Sequence, residues 1–111
     1  TRVSMTIAEE ATAMIECSLD KGRRVGTNEV AERLYTSRSK LCATFKAQTG
    51  ESLGAYIRRR RMERAQDLLA DSALTIAQVA ERLGYPQQAA FAQAFKQYTG
   101  MTPTAWRSKH R

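Results

Sequence analysis

Histidine is nearly missing from this 111-residue chain: His110, in the tail, stands alone. A nucleophile triad or an imidazole-built metal centre needs a histidine near its partners, and none is placed for that. Cysteine is scarce as well. Cys17 and Cys42 are too few for a disulfide framework, and reduced thiols in a cytoplasmic protein are the simplest reading. There is no glycine-rich loop to cradle a phosphate. No apolar run is long enough to span a membrane, and no secretory leader pattern opens the chain. Strand-like alternation is absent throughout. These gaps leave little support for an enzyme, a cofactor or a membrane partner. The start at Thr1, without a methionine, predicts an excised fragment whose effector-binding or dimerisation domain lies upstream.

Acidic residues are also missing, but only in places. The net charge of +7 points towards an anionic partner. From Arg33 to Gly50 the basic residues are Arg33, Arg38, Lys40 and Lys46, with no acid among them. From Leu83 to Arg111 they are Lys96, Arg107, Lys109 and Arg111, again with no acid. The two stretches are equivalent because the chain repeats itself. Val30-Ala31-Glu32-Arg33-Leu34 recurs as Val79-Ala80-Glu81-Arg82-Leu83. Phe45-Lys46 and Thr49-Gly50 recur as Phe95-Lys96 and Thr99-Gly100, and Ala55-Tyr56 is matched by Ala105-Trp106. The offset is 49 residues for the first block and 50 for the later ones, so the second copy carries one extra residue between its blocks. Two copies are too few for a solenoid; a pair of modules joined by a helix is expected.

The joining helix is Ser52 to Ala70. Its apolar residues Leu53, Ile57, Ala65, Leu68 and Leu69 have helical spacing, with Tyr56 and Met62 beside them. Before it, Thr6 to Asp20 predicts a first helix with a Thr6-x-x-Glu9 capping box and a stripe of Ile7, Ala11, Met14, Ile15 and Leu19. A short helix from Thr27 to about Leu34 follows, then a break at Tyr35-Thr36. A third helix, capped by Ser37, turns Leu41 and Phe45 inward. The second copy predicts a helix capped by Thr75, a turn at Gly84-Tyr85-Pro86, and a sixth helix from about Pro86 to Tyr98 with Phe91 and Phe95 inward. Thr102-Pro103 opens a seventh. The fold class is therefore all-α, with about seven helices. The expected division is a first helix-turn-helix subdomain at 1–51, a linker helix at 52–71 and a second subdomain at 72–111.

A helix-turn-helix lays the start of its second helix in the DNA major groove. That calls for an outer face of small or hydrogen-bonding residues without carboxylates. Helix three offers Ser39, Cys42 and Ala43 there, with Arg38, Lys40 and Lys46 as phosphate contacts. Helix six offers Gln87, Gln88 and Gln93 for adenine edges and Ala89 and Ala92 for thymine methyls, with Lys96 on phosphate. Arg58 to Arg61 span all sides of their helix. They read mainly as a solvated face, at most one or two towards DNA and the others paired with acids such as Glu63 or Asp67.

The second half of the chain carries Ile76-Ala77, Val79-Ala80, Leu83-Gly84-Tyr85, Phe91, Ala94-Phe95-Lys96, Gly100-Met101-Thr102-Pro103 and Trp106-Arg107. With Tyr56-Ile57-Arg58, Arg64-Ala65 and Leu68-Leu69 in the central helix, this set resembles the AraC/XylS family of bacterial transcription regulators, from about Ile7 to Arg107. The resemblance implies binding of double-stranded DNA through the third and sixth helices, usually to activate promoters by contact with RNA polymerase. It also implies a separate sensing or dimerisation domain in most members. The rival expectation is a helical adaptor that binds RNA polymerase or another regulator, with weak or non-specific DNA contact.

Overall fold

The computed structural model describes residues 6–23 and 25–110. Among these, the regular elements are helices: α1 (Ile7–Asp20), α2 (Thr27–Arg33), α3 (Arg38–Thr49), α4 (Leu53–Leu69), α5 (Ile76–Arg82), α6 (Gln88–Thr99) and α7 (Pro103–Lys109). None of them is long and apolar enough to cross a membrane. The molecule measures 45 × 29 × 23 Å, and α4 is about 26 Å long at 1.5 Å of rise per residue.

The helix ends obey local chemistry. Thr6 accepts from the Glu9 amide while Glu9 reaches back to the Thr6 amide, and Thr75 and Gln78 make the same reciprocal box on α5. Ser37, Ser52 and Thr102 each cap the helix that follows. Each such cap satisfies an amide that would otherwise lack an intrahelical acceptor. Helices α3 and α6 end alike. Gly50 and Gly100 take φ of 83° and 85°, and Thr49 and Thr99 bridge the two sides of the turn through their hydroxyls.

Two cores form. The first gathers Ala11, Ile15, Val30, Leu41 and Phe45 with Leu53 and Ile57 from the first half of α4. The second gathers Val79, Leu83, Phe91 and Phe95 with Met62, Ala65 and Leu69 from its second half. Trp106 of α7 packs edge-on against Phe95, as Tyr56 of α4 does against Phe45. Helix α4 thus closes the first core as α7 closes the second. It also opens the second core: Ala65 and Leu69 are buried at the positions, 50 residues on, of Ile15 and Leu19 in α1.

The extra residue of the second copy lies in the turn before α6. After α2, Leu34 is followed by Tyr35 at φ 55°; after α5, Leu83 is followed by Gly84 at φ 83°. The next amide returns to the helix in both turns, Thr36 to the Ala31 carbonyl and Tyr85 to that of Ala80, each at 3.0 Å. Pro86 is then added. It does not start the helix as expected from the sequence. Gln87 is extended at the N-cap, without a side-chain cap, and α6 begins at Gln88. The insertion is absorbed in the turn because Phe91 must keep the core register that Leu41 has in α3.

The two modules also touch directly. A Cβ at Gly22, which has φ +69°, would stand 2.7 Å from the Arg82 carbonyl oxygen. The turn after α1 therefore sits hard against the end of α5.

Candidate nucleic-acid interface

Five equivalent positions of the two second helices can be compared one by one, with an offset of 50. Arg38 and Gln88 are the first helical residues, and Ser39 and Ala89 the second; all four are exposed. Ala43 and Gln93 are exposed in the next turn, and Lys46 and Lys96 are exposed in the turn after that. Lys40 is exposed while its amide is held by the Ser37 hydroxyl. Gln87 stands exposed at the N-cap of α6. Ser39, Lys40, Ala43 and Lys46 form one open stripe on α3, opposite Leu41 and Phe45, and Ala89, Gln93 and Lys96 form its match on α6, opposite Phe91 and Phe95, while Arg38 and Gln88 stand exposed at the helix starts.

Cys42 and Ala92 differ from that expectation. Both are half-buried, and Cys42 packs against the first core. They share one register position, one residue after the buried Leu41 and Phe91. A rotation of about 100° per residue leaves this position at the flank of the stripe rather than on its crest.

Arg38 also has a partner that the sequence alone did not indicate. Its Nε donates to the Thr27 hydroxyl at 3.1 Å. The first residue of α2 and the first of α3 are thereby tied across the helix pair, with the guanidinium left exposed. The acid-free composition of α3 and α6 leaves both stripes without a carboxylate to repel an anion.

The arginine run behaves differently. Arg59 is paired with Glu51 and Glu63, and Arg60 with Glu16 and Glu63. Arg64 bridges to Glu16 and Asp20. Glu63 was the expected partner; Asp67 forms no ion pair among the described residues. The hub is Glu16, which lies 44 residues away from Arg60 in the chain and across a helix interface. It accepts from Arg60 Nε at 2.7 Å, Arg64 Nη2 at 2.9 Å and the Tyr56 hydroxyl at 3.0 Å. The Arg60 hydrogen bond leads in holding the Glu16 carboxyl down to about 2, with Arg64 and Tyr56 adding to it against a burial penalty. The Glu16 bonds staple α1 to α4, and the ion pairs together take Arg59, Arg60 and Arg64 out of the pool of free cations. Among the described residues no group of three or more His, Cys, Asp or Glu is arranged to hold a metal ion.

Two helix pairs with equivalent open faces, mounted on one shared helix, define a tandem helix-turn-helix DNA-binding domain. Residues 30–109 match the helix-turn-helix domain family. A putative AraC-like transcription regulator of Streptomyces lividans is 36% identical over 100 residues, which is 90% of this chain and 33% of that protein. The C-terminal domain of AraT, a response regulator from Geobacillus stearothermophilus, superposes with a TM-score of 0.85 at 32% identity, covering 98% of this chain and 88% of that one. The DNA-binding domain of AdpA, a global transcriptional factor solved in complex with a target DNA, gives 0.78 at 25% identity, covering 92% and 93%. The chain belongs to the AraC-type helix-turn-helix family, the DNA-binding domains of transcription regulators. It spans about a third of the length of the curated relatives it matches.

Proposed function

We propose that this domain reads an asymmetric DNA site through two successive major grooves, with α3 in one and α6 in the other. The observation that carries the reading is the register match: exposed Arg38, Ser39, Ala43 and Lys46 recur 50 residues on as exposed Gln88, Ala89, Gln93 and Lys96, on helices free of acids. One turn of DNA is about 34 Å, which a 45 Å molecule built around a 26 Å helix can span. Gln88 and Gln93 are assigned to base edges, with Gln87 beside them at the N-cap and Ala89 as an apolar contact. Ser39 and Ala43 are their counterparts on α3, with Cys42 and Ala92 at the flanks. Arg38, Lys40, Lys46 and Lys96 are assigned to phosphates. The unlike side chains of the two stripes are what make the site asymmetric.

The reading takes 1–51 and 72–111 as the two reading units and 52–71 as their spacer. In the intact regulator this domain would deliver an upstream sensing or dimerisation domain to a promoter and activate it through RNA polymerase, as the family resemblance implies.

Selection of bound duplexes from a random pool, then a salt titration of the winner, tests the reading. Two enriched patches one helical turn apart are expected, with a salt slope of about −0.9 per phosphate neutralised. Gln93→Ala should cost roughly 1–3 kcal/mol on the selected site and relax preference in one patch alone. Lys46→Ala and Lys96→Ala should weaken all duplexes about equally. A pool that shows no enrichment would instead favour the adaptor role.

A further inference from the structure

The two modules differ where their first helices meet their recognition helices. In the first, α1 lies along α3, and the contact is made by small residues: Ala8 and Ala11 are buried, and the Ala8 amide donates to the Gln48 side chain. In the second, α4 takes the place of α1. The residues 50 positions on from Ala8, Ala11 and Thr12 are Arg58, Arg61 and Met62. Each is far larger, and α4 makes no comparable contact with α6. Beside it lies a cleft of about 560 Å³, with α4 as one wall, α6 as another and Val25, Gly26 and Glu29 of the first module on a third side, where the Glu29 carboxylate is paired with Arg33 at 3.1 Å. Its volume lies in the range of small-molecule sites, roughly 300–1,000 Å³.

We propose that this cleft binds a small aromatic carboxylate. Arg58 and Arg61 both line it, and neither joins an ion pair among the described residues. The Arg61 Nε is buried without an acceptor, while its guanidinium carbon sits 5.3 Å from the centre of the Tyr85 ring. Two guanidiniums one turn apart suit a carboxylate, which can accept from both. The exposed Tyr98 ring, with Ile57 and Ala94 also in the lining, supplies the flat and apolar surface an aromatic body needs. Gly54 stands at the rim, in the first turn of α4, where a Cβ would meet nothing within 4 Å.

The test needs no DNA, so it stands or falls apart from the groove-reading proposal. Amide NMR spectra of the labelled chain are followed while benzoate, 4-hydroxybenzoate and indole-3-acetate are added to about 10 mM, enough to detect a Kd near 1 mM. Benzamide and inorganic phosphate are the controls. Saturable shifts at Gly54, Tyr85 and Gln97 are expected with at least one carboxylate and not with either control. Arg58→Gln should weaken that binding about tenfold or more. Gly54→Leu, whose Cβ would meet nothing within 4 Å, should block it while leaving the rest of the spectrum folded. Saturation by none of the three acids, equal shifts from benzamide or phosphate, or unchanged binding in Gly54→Leu would each overturn the proposal.

Discussion

Tyr35 has a φ of 55° and is 96% exposed, and among the described residues it is the only non-glycine with positive φ. The left-handed conformation costs an ordinary side chain about 1–2 kcal/mol, and an exposed ring recovers little of that by packing. The second copy meets the same backbone demand with Gly84. Tyr35→Gly should therefore raise unfolding stability by about 0.5–1 kcal/mol, part of the relief being offset by the freer unfolded chain; urea denaturation reads it. Glu16 gives a second residue-scale prediction. Its carboxyl titrates at about 2 in the fold against an ordinary 4.5, so the folded state favours the charged form. The stabilisation is complete above about pH 4.5 and is lost as pH falls through the folded value near 2. With the side chain 29% exposed, solvent screening leaves about 1–3 kcal/mol. Denaturation midpoints should drop between pH 5 and pH 2, and Glu16→Gln should flatten that drop while lowering stability at neutral pH.

At the scale of one element, α4 is the helix on which both cores depend, and its two ends are secured differently. Ser52 caps the start with its own hydroxyl. The end has no basic residue in its last turn and no glycine. Arg107 of α7 supplies what is missing: its Nε donates to the Leu69 carbonyl at 2.9 Å and its Nη2 to the Asp71 carbonyl at 3.3 Å. A guanidinium at a helix C-terminus both satisfies free carbonyls and faces the negative end of the dipole. Arg107→Ala should cost about 1–2 kcal/mol. Its amide-exchange signature should be faster exchange in α7 and the last turn of α4, with α1 to α3 unaffected. The Trp106-Arg107 pair is thus a packing aromatic joined to a capping cation.

At the scale of the whole molecule, the spacing of α3 and α6 depends on how the modules sit against each other. Besides α4 itself, the close approach of Gly22 to Arg82 sets that seat. Gly22→Ala combines a strained φ of +69° with a Cβ 2.7 Å from a backbone oxygen, and the oxygen belongs to a helix end that cannot swing aside as a side chain would. The variant should lose more than about 1 kcal/mol of stability. It should also lose affinity for a two-patch site more than for either patch alone, measured by titrating full and half sites. A variant with equal losses on full and half sites would show that the seat governs folding and not spacing.

The sequence by itself determined the helices, the caps at Thr6, Ser37, Ser52, Thr75 and Thr102, the duplication and the inward residues Leu41, Phe45, Phe91 and Phe95. Each follows from spacing within one turn or two of helix, where chain connectivity fixes which side chains share a face. The exposed stripe on each recognition helix was legible for the same reason, being the complement of the buried one. Cys42 and Ala92 are less exposed than the sequence led one to expect, because a one-residue step from a core position falls at the edge of both faces and the neighbouring helix decides how much it covers. The partners of the arginine run were likewise beyond sequence reading. Glu16 meets Arg60 and Arg64 only because α1 lies across α4, and nothing local to the run encodes that crossing. The cleft beside Arg58 and Arg61 is of the same kind. Tertiary structure decided it, because whether two helices close on each other depends on the size of the side chains both bring to the contact.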